Sequence, residues 1–206
     1  MMKKVINRRK IQAEETKKRI FETARQLFQE QGFENVSVDS VVEAAGVSKG
    51  AFYVHFNSKD ALAAILINEC VNEVDLDYKS YLKTLHPATP ISDILIALTG
   101  KIADVIAYTI GCDNMKVLYK AHLTKTIDSA SAMSYNRELY KLFTEVLERG
   151  VQQGEFREDI PVDLLAKHLV LAIRGITFEW CIRYPDFDLR QQILDHFKIL
   201  LYGLKR

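Results

Sequence analysis

A run of serine-capped, glycine-stopped segments between Thr16 and Leu62 restricts what this chain can fold into more than any other feature. Thr16, Ile20, Ala24, Leu27 and Phe28 recur at the i, i+4, i+7 spacing of one helix face. Gly32 predicts the stop, because glycine enters the left-handed conformation after a last turn at little cost. Phe33 then falls where it folds back onto Phe28. Ser37 is placed to cap a short helix through Ala45, with Val36 and Val41 spaced as a hydrophobic staple across its start. Gly46 ends it, Ser48 caps a second short helix to about Phe56, and Val47 and Phe52 repeat the staple spacing. Asn57-Ser58 breaks that helix, and Ser58 caps the next. Two short helices meeting at a glycine corner on a longer one form a helix-turn-helix.

The rest of the chain keeps the helical period, and strand-like alternation is nearly absent. The pattern predicts helices from about Lys59 to Leu82, Ile91 to Tyr108, Asp113 to Ile127, Ser131 to Gln153, Pro161 to Tyr184, and Leu189 to the C-terminus. Breaks are expected at His86-Pro87-Ala88-Thr89-Pro90, Gly154 and Tyr184-Pro185-Asp186. The expectation is an all-α protein of about nine helices, with a head at 1–58 and a helical ligand-binding and dimerisation body at 59–206. With 48% hydrophobic residues the chain carries ample material for a core, which excludes disorder as its main state.

A net charge of +1 conceals an asymmetry. Residues 1–60 hold eleven Lys and Arg against eight Asp and Glu, a balance of +3 that leaves −2 for the remainder. Five cations and no acid stand in the first ten residues. Charge alone fits a basic arm for a polyanion and a solvated tail equally. Cys70, Cys112 and Cys181 are odd in number and far apart, which points away from a disulfide framework and toward a reducing cytoplasm. No apolar run reaches membrane-spanning length, so no membrane association is expected. His55, His86, His122, His168 and His196 lack ligand spacing, so neither metal nor cofactor is expected. No nucleophile elbow, phosphate loop or HExxH motif suggests catalysis.

The outer face and ends of the second short helix carry Ser48, Lys49, Gly50, Ala51, Tyr53, Val54 and His55. Small residues at 50 and 51 permit close approach to base edges in a major groove. Lys49 suits a base or phosphate, Tyr53 a phosphate, and Lys59 stands at the positive end of the following helix. Thr16–Leu62, above all the stretch Ala45-Gly46-Val47-Ser48-Lys49-Gly50-Ala51-Phe52-Tyr53-Val54-His55-Phe56 and on through Asn57-Ser58-Lys59-Asp60-Ala61-Leu62, resembles the DNA-binding domain of the TetR family of transcriptional regulators. Gly154-Glu155-Phe156-Arg157, Arg174-Gly175 and Trp180 continue the likeness more faintly; Val42 departs from it, standing where the family usually has alanine.

The resemblance implies a cytoplasmic repressor that reads a palindromic double-stranded operator through Ser37, Ser48, Lys49, Gly50, Ala51, Tyr53, His55 and Lys59. It also implies a small-molecule effector of unknown identity. Tyr78, Tyr108, Met115, Tyr119, His122, Phe178, Glu179 and Trp180 are placed to line its cavity and suggest an apolar or aromatic compound, although ordinary core packing serves for any one of them. The family's homodimer pairs the last two helices with their mates. The stripe Leu189, Ile193, Leu194, Phe197, Leu200, Leu201 and Leu204 is wide enough for such a face, and Ala172 and Gly175 would let helices approach closely. Packing of the same stripe inside one protomer is the alternative. The rival function is an all-helical small-molecule-binding protein in which the helix-turn-helix is only scaffold.

Overall fold

The computed structural model describes residues 2–125 and 137–206. Among them run nine α-helices: α1 Met2–Gln31, α2 Val38–Ala45, α3 Lys49–His55, α4 Lys59–Leu82, α5 Ile91–Asp104, α6 Cys112–Leu123, α7 Glu138–Gln152, α8 Val162–Arg183 and α9 Leu189–Leu204. A π-helical stretch, Val105–Ile110, follows α5 without a break. The stretch 126–136, where the sequence places the end of one helix and the start of the next, lies outside the described residues.

The local signals act as the residue types dictate. Ser37 and Ser40 form a reciprocal cap on α2. Gly46 adopts φ 62°, ψ 42°; its N–H donates to Glu43 O and the Val47 N–H to Val42 O, the paired bonds of a Schellman stop. Ser48 Oγ accepts from the Ala51 amide at 3.1 Å and Ser58 Oγ from the Ala61 amide at 3.0 Å. Phe33 folds onto Phe28 with ring centroids 5.6 Å apart. The basic N-terminus forms the first turns of α1, with no glycine or proline to interrupt the helix before Gly32. One expectation changes. The helix from Ile91 ends earlier as an α-helix: its last turn widens to i+5 bonding, with the Gly111 N–H donating to Ile106 O at 2.9 Å.

Two cores organise these helices. Ile20, Ala24, Val36, Val41, Val42, Phe52 and Phe56 bury one another in the head. The larger core gathers α4–α9, with α9 packed on α5, α6 on α4 and α7 on α8. Leu62 and Leu66 of α4 turn back into the head's core, while Ala63, Ala64 and Ile67 face the body, so α4 belongs to both. Val42 is buried in the head's core.

Candidate nucleic-acid interface and effector cavity

Burial of Phe52 and Phe56 against α1 and α2 turns the opposite side of α3 outward. Ser48, Lys49 and Gly50 are exposed there, Tyr53 is 50% and Val54 78% exposed, and Ala51 and His55 are half-buried. An outward valine on an otherwise small and polar face suits a thymine methyl. Gly50 has no left-handed backbone, and a Cβ at that position would meet only Ser48 Oγ, at 3.8 Å. Nothing in the fold therefore requires glycine at 50.

The two lysines are more constrained than their positions in the sequence suggest. Lys49 Nζ lies 2.8 Å from Asp39 Oδ1 and 3.1 Å from Oδ2, and this hydrogen bond raises its pKa. Asp39 therefore holds Lys49 toward α2. Lys59 donates to Phe33 O at 2.9 Å and sits 4.0 Å above that residue's ring. It ties the turn after α1 to the start of α4 with a half-buried cation that keeps two further N–H groups. Ser37 is an exposed cap.

Inside the body lies a cavity of about 110 Å³ between α4, the π-helical stretch, α6, the start of α7 and α8. Of the residues expected to line it, Tyr78, Met115, Tyr119 and His122 do. Tyr108, Phe178, Glu179 and Trp180 do not. Tyr108 is 75% exposed, because the π turn points it into an outer groove beside Arg25 and Phe28 of α1. Phe178 meets the Tyr119 ring edge-on from outside, and Trp180 is buried against Tyr184. Sequence reasoning missed Ile102, Ile106, Ile173, Arg137 and Arg174, whose place in the wall depends on how α5, α7 and α8 pack.

The polar end of the cavity is built from paired groups. Arg137 grips Asp75 through two bonds, at 3.0 and 2.6 Å, and both side chains are almost fully buried. Tyr119 Oη donates to Arg174 O at 3.2 Å, and buried Thr177 donates back to Ile173 O. Burial, then the neighbouring Arg174 charge, lowers the His122 pKa, which keeps its imidazole neutral. Cys112 and Cys181 bring their thiols into contact, but burial raises both, Cys181 to about 12, so neither is a ready thiolate. Among the described residues no group of three His, Cys, Asp or Glu could hold a metal, and no single helix is long and apolar enough to cross a membrane.

The residues expected at a dimer face divide between buried and outward positions. Ile193, Phe197, Leu201 and Leu204 are buried within the protomer, because α9 lays that stripe on α5. Ala172 and Leu200 are half-buried and Gly175 is exposed. The outward apolar residues are Leu164, Leu171, Phe178 and Ile182 on α8, with Ile199 (71% exposed) and Tyr202 (83%) on α9. The signal was available in the sequence: Ile199 and Tyr202 lie off the seam that joins Ile193, Phe197 and Leu201 at intervals of four.

Residues 20–65 match the bacterial regulatory proteins of the tetR family. The transcriptional regulator AcrR of Shigella flexneri is 26% identical over 93% of this chain and 90% of its own length. The repressor KstR2 of Rhodococcus jostii is 26% identical over 73% of this chain and 72% of its own. Thermus thermophilus FadR, a repressor solved with lauroyl-CoA, superposes with a TM-score of 0.64 at 20% identity, covering 90% of this chain and 93% of that one. The chain thus carries a tetR-family helix-turn-helix head on an all-helical body and is similar over most of its length to DNA-binding transcriptional regulators.

Proposed function

We propose that this chain is a cytoplasmic repressor that binds a palindromic operator as a homodimer and is released by a small molecule held in the cavity, acting by binding rather than by catalysis. The carrying observation is the α3 face, where Ser48, Lys49, Gly50, Tyr53 and Val54 project outward from a helix fixed by Phe52 and Phe56. Such a face reads base edges, while Ser37, His55 and Lys59 flank it toward the phosphates. The working division is placed at 58/59, with α4, which contributes to both cores, as the shared lever. Apolar residues outward on α8 and α9 support dimerisation through those helices. Relatives named repressors support the sign of regulation, and FadR, solved with lauroyl-CoA, supports a small-molecule effector.

The coupling has a physical route. Met115, Leu118, Tyr119 and His122 of α6 face the cavity, and Lys120 on the same helix reaches Asp60 in the first turn of α4 at 2.7 Å. An effector that displaces α6 therefore pulls on the helix that enters the head, and it releases DNA only by binding the displaced state better. Selection of duplexes from a random pool, followed by a salt titration of the winner, tests the DNA-reading claim. A symmetric two-half-site winner bound by a dimer is expected. Failure to enrich any duplex sequence would leave the rival, a helix-turn-helix kept as scaffold.

A further inference from the structure

The cavity states more about its occupant than that it is apolar. Resting on the effector reading above, we propose that the ligand is a single-ring phenol, its ring among Met115, Leu118 and Ile173 and its hydroxyl on Nδ1 of His122.

Size is the first argument. A cavity of about 110 Å³ is on the order of the ~150 Å³ void that accepts benzene. Ile102, Ile106, Leu118 and Ile173 line its walls, and its volume matches a single ring better than a long acyl chain. Met115 is the adaptable wall that lets a substituted ring settle, and Tyr78 and Tyr119 offer aromatic contacts.

Polarity is the second. The Tyr119 and Thr177 hydroxyls already donate to backbone carbonyls, and Arg137 is forked onto Asp75. Nδ1 of His122 is buried and has no hydrogen-bond partner among the described residues. A neutral imidazole nitrogen left unsatisfied is costly, and a ligand hydroxyl removes that cost by donating one proton to it. The adjacent Arg174 charge favours the hydroxyl's oxygen lone pairs. A full carboxylate fits less well, because it would be stripped of water in a largely apolar cavity where Arg137 is already paired with Asp75.

Calorimetry on the full-length protein, with operator binding measured in parallel, tests this. The probes are 4-methylphenol, toluene, 4-methylanisole, benzoate and lauroyl-CoA. The expected result is that 4-methylphenol binds about tenfold more tightly than toluene or 4-methylanisole, the worth of one well-placed hydrogen bond, and weakens operator binding. His122→Phe should bring 4-methylphenol and toluene together, and Met115→Trp should exclude both. Equal binding of 4-methylphenol and toluene by the unmodified protein overturns the phenol assignment while leaving an effector cavity in place. Tight binding of benzoate or lauroyl-CoA without the phenol does the same. If no probe binds and none changes operator affinity, both the phenol and the cavity reading fall.

Discussion

Replacing Gly50 by alanine should make the protein more stable and a poorer DNA binder at the same time. Gly50 lies in the first turn of α3 with an ordinary helical backbone, and a methyl there would contact only Ser48 Oγ, at 3.8 Å. Alanine is worth about 0.5–1 kcal/mol over glycine in a helix, mainly by restricting the unfolded chain. For a chain of this length that raises Tm by roughly 1–4 °C. If α3 enters the groove on this exposed face, the methyl would stand between α3 and the groove floor. Overpacking of this kind costs about 1–3 kcal/mol, so affinity for a cognate duplex should fall about tenfold or more. Thermal denaturation by circular dichroism reads the first effect, and fluorescence anisotropy at fixed salt reads the second. Unchanged affinity would mean that α3 does not press this turn against DNA. A lower Tm would mean that glycine is needed by the fold after all.

Three further outcomes follow from the same contacts. Lys59→Met removes the charge-assisted bond to Phe33 O and should cost about 1–3 kcal/mol of stability. If its remaining N–H groups reach a phosphate, the slope of log affinity against log salt should also fall by about one, and an unchanged slope would leave Lys59 a purely structural tie. Ile199→Asp with Tyr202→Asp should give a folded monomer by sedimentation, since both side chains project outward, whereas Phe197→Asp should unfold the protomer; a dimeric double variant would refute the face. Glu155 accepts from the Ile91 and Ser92 amides at 2.7 and 2.8 Å, capping α5. Burial works to raise its pKa, but those hydrogen bonds prevail and hold it below the ordinary carboxylate value. Its stabilisation of about 1–3 kcal/mol is therefore complete above the unfolded carboxylate's pKa, about 4.3, and fades as pH falls through the lower folded value. The Tm gap to Glu155→Gln should close in acid, and a constant gap would show that the carboxylate charge is not what caps the helix.

Caps, stops and the apolar faces of single helices were open to the sequence because they are set within about one turn. Ser37, Gly46, Ser48 and Ser58 each satisfy backbone groups three or four residues away, so their residue types alone place α2, α3 and the start of α4. The outward side of α3 followed from the same local logic, once Phe52 was assigned inward; Phe56 joins it in the head's core only when the helices pack. Partnership between distant segments was not open in this way. Lys49 and Lys59 read as free cations, yet Asp39 and Phe33 hold them, and those residues come close only when α1, α2 and α4 meet at the head's core. Tyr108 and Tyr119 read alike as cavity aromatics, and a wider turn of helix after Asp104 sends one outside while α6 keeps the other within. Leu201 and Tyr202 are adjacent in the chain, and packing against α5 decides which meets the core and which is left facing outward. Short-range hydrogen bonding is written residue by residue, whereas the side of a helix that finds a neighbour depends on the whole arrangement of α4–α9.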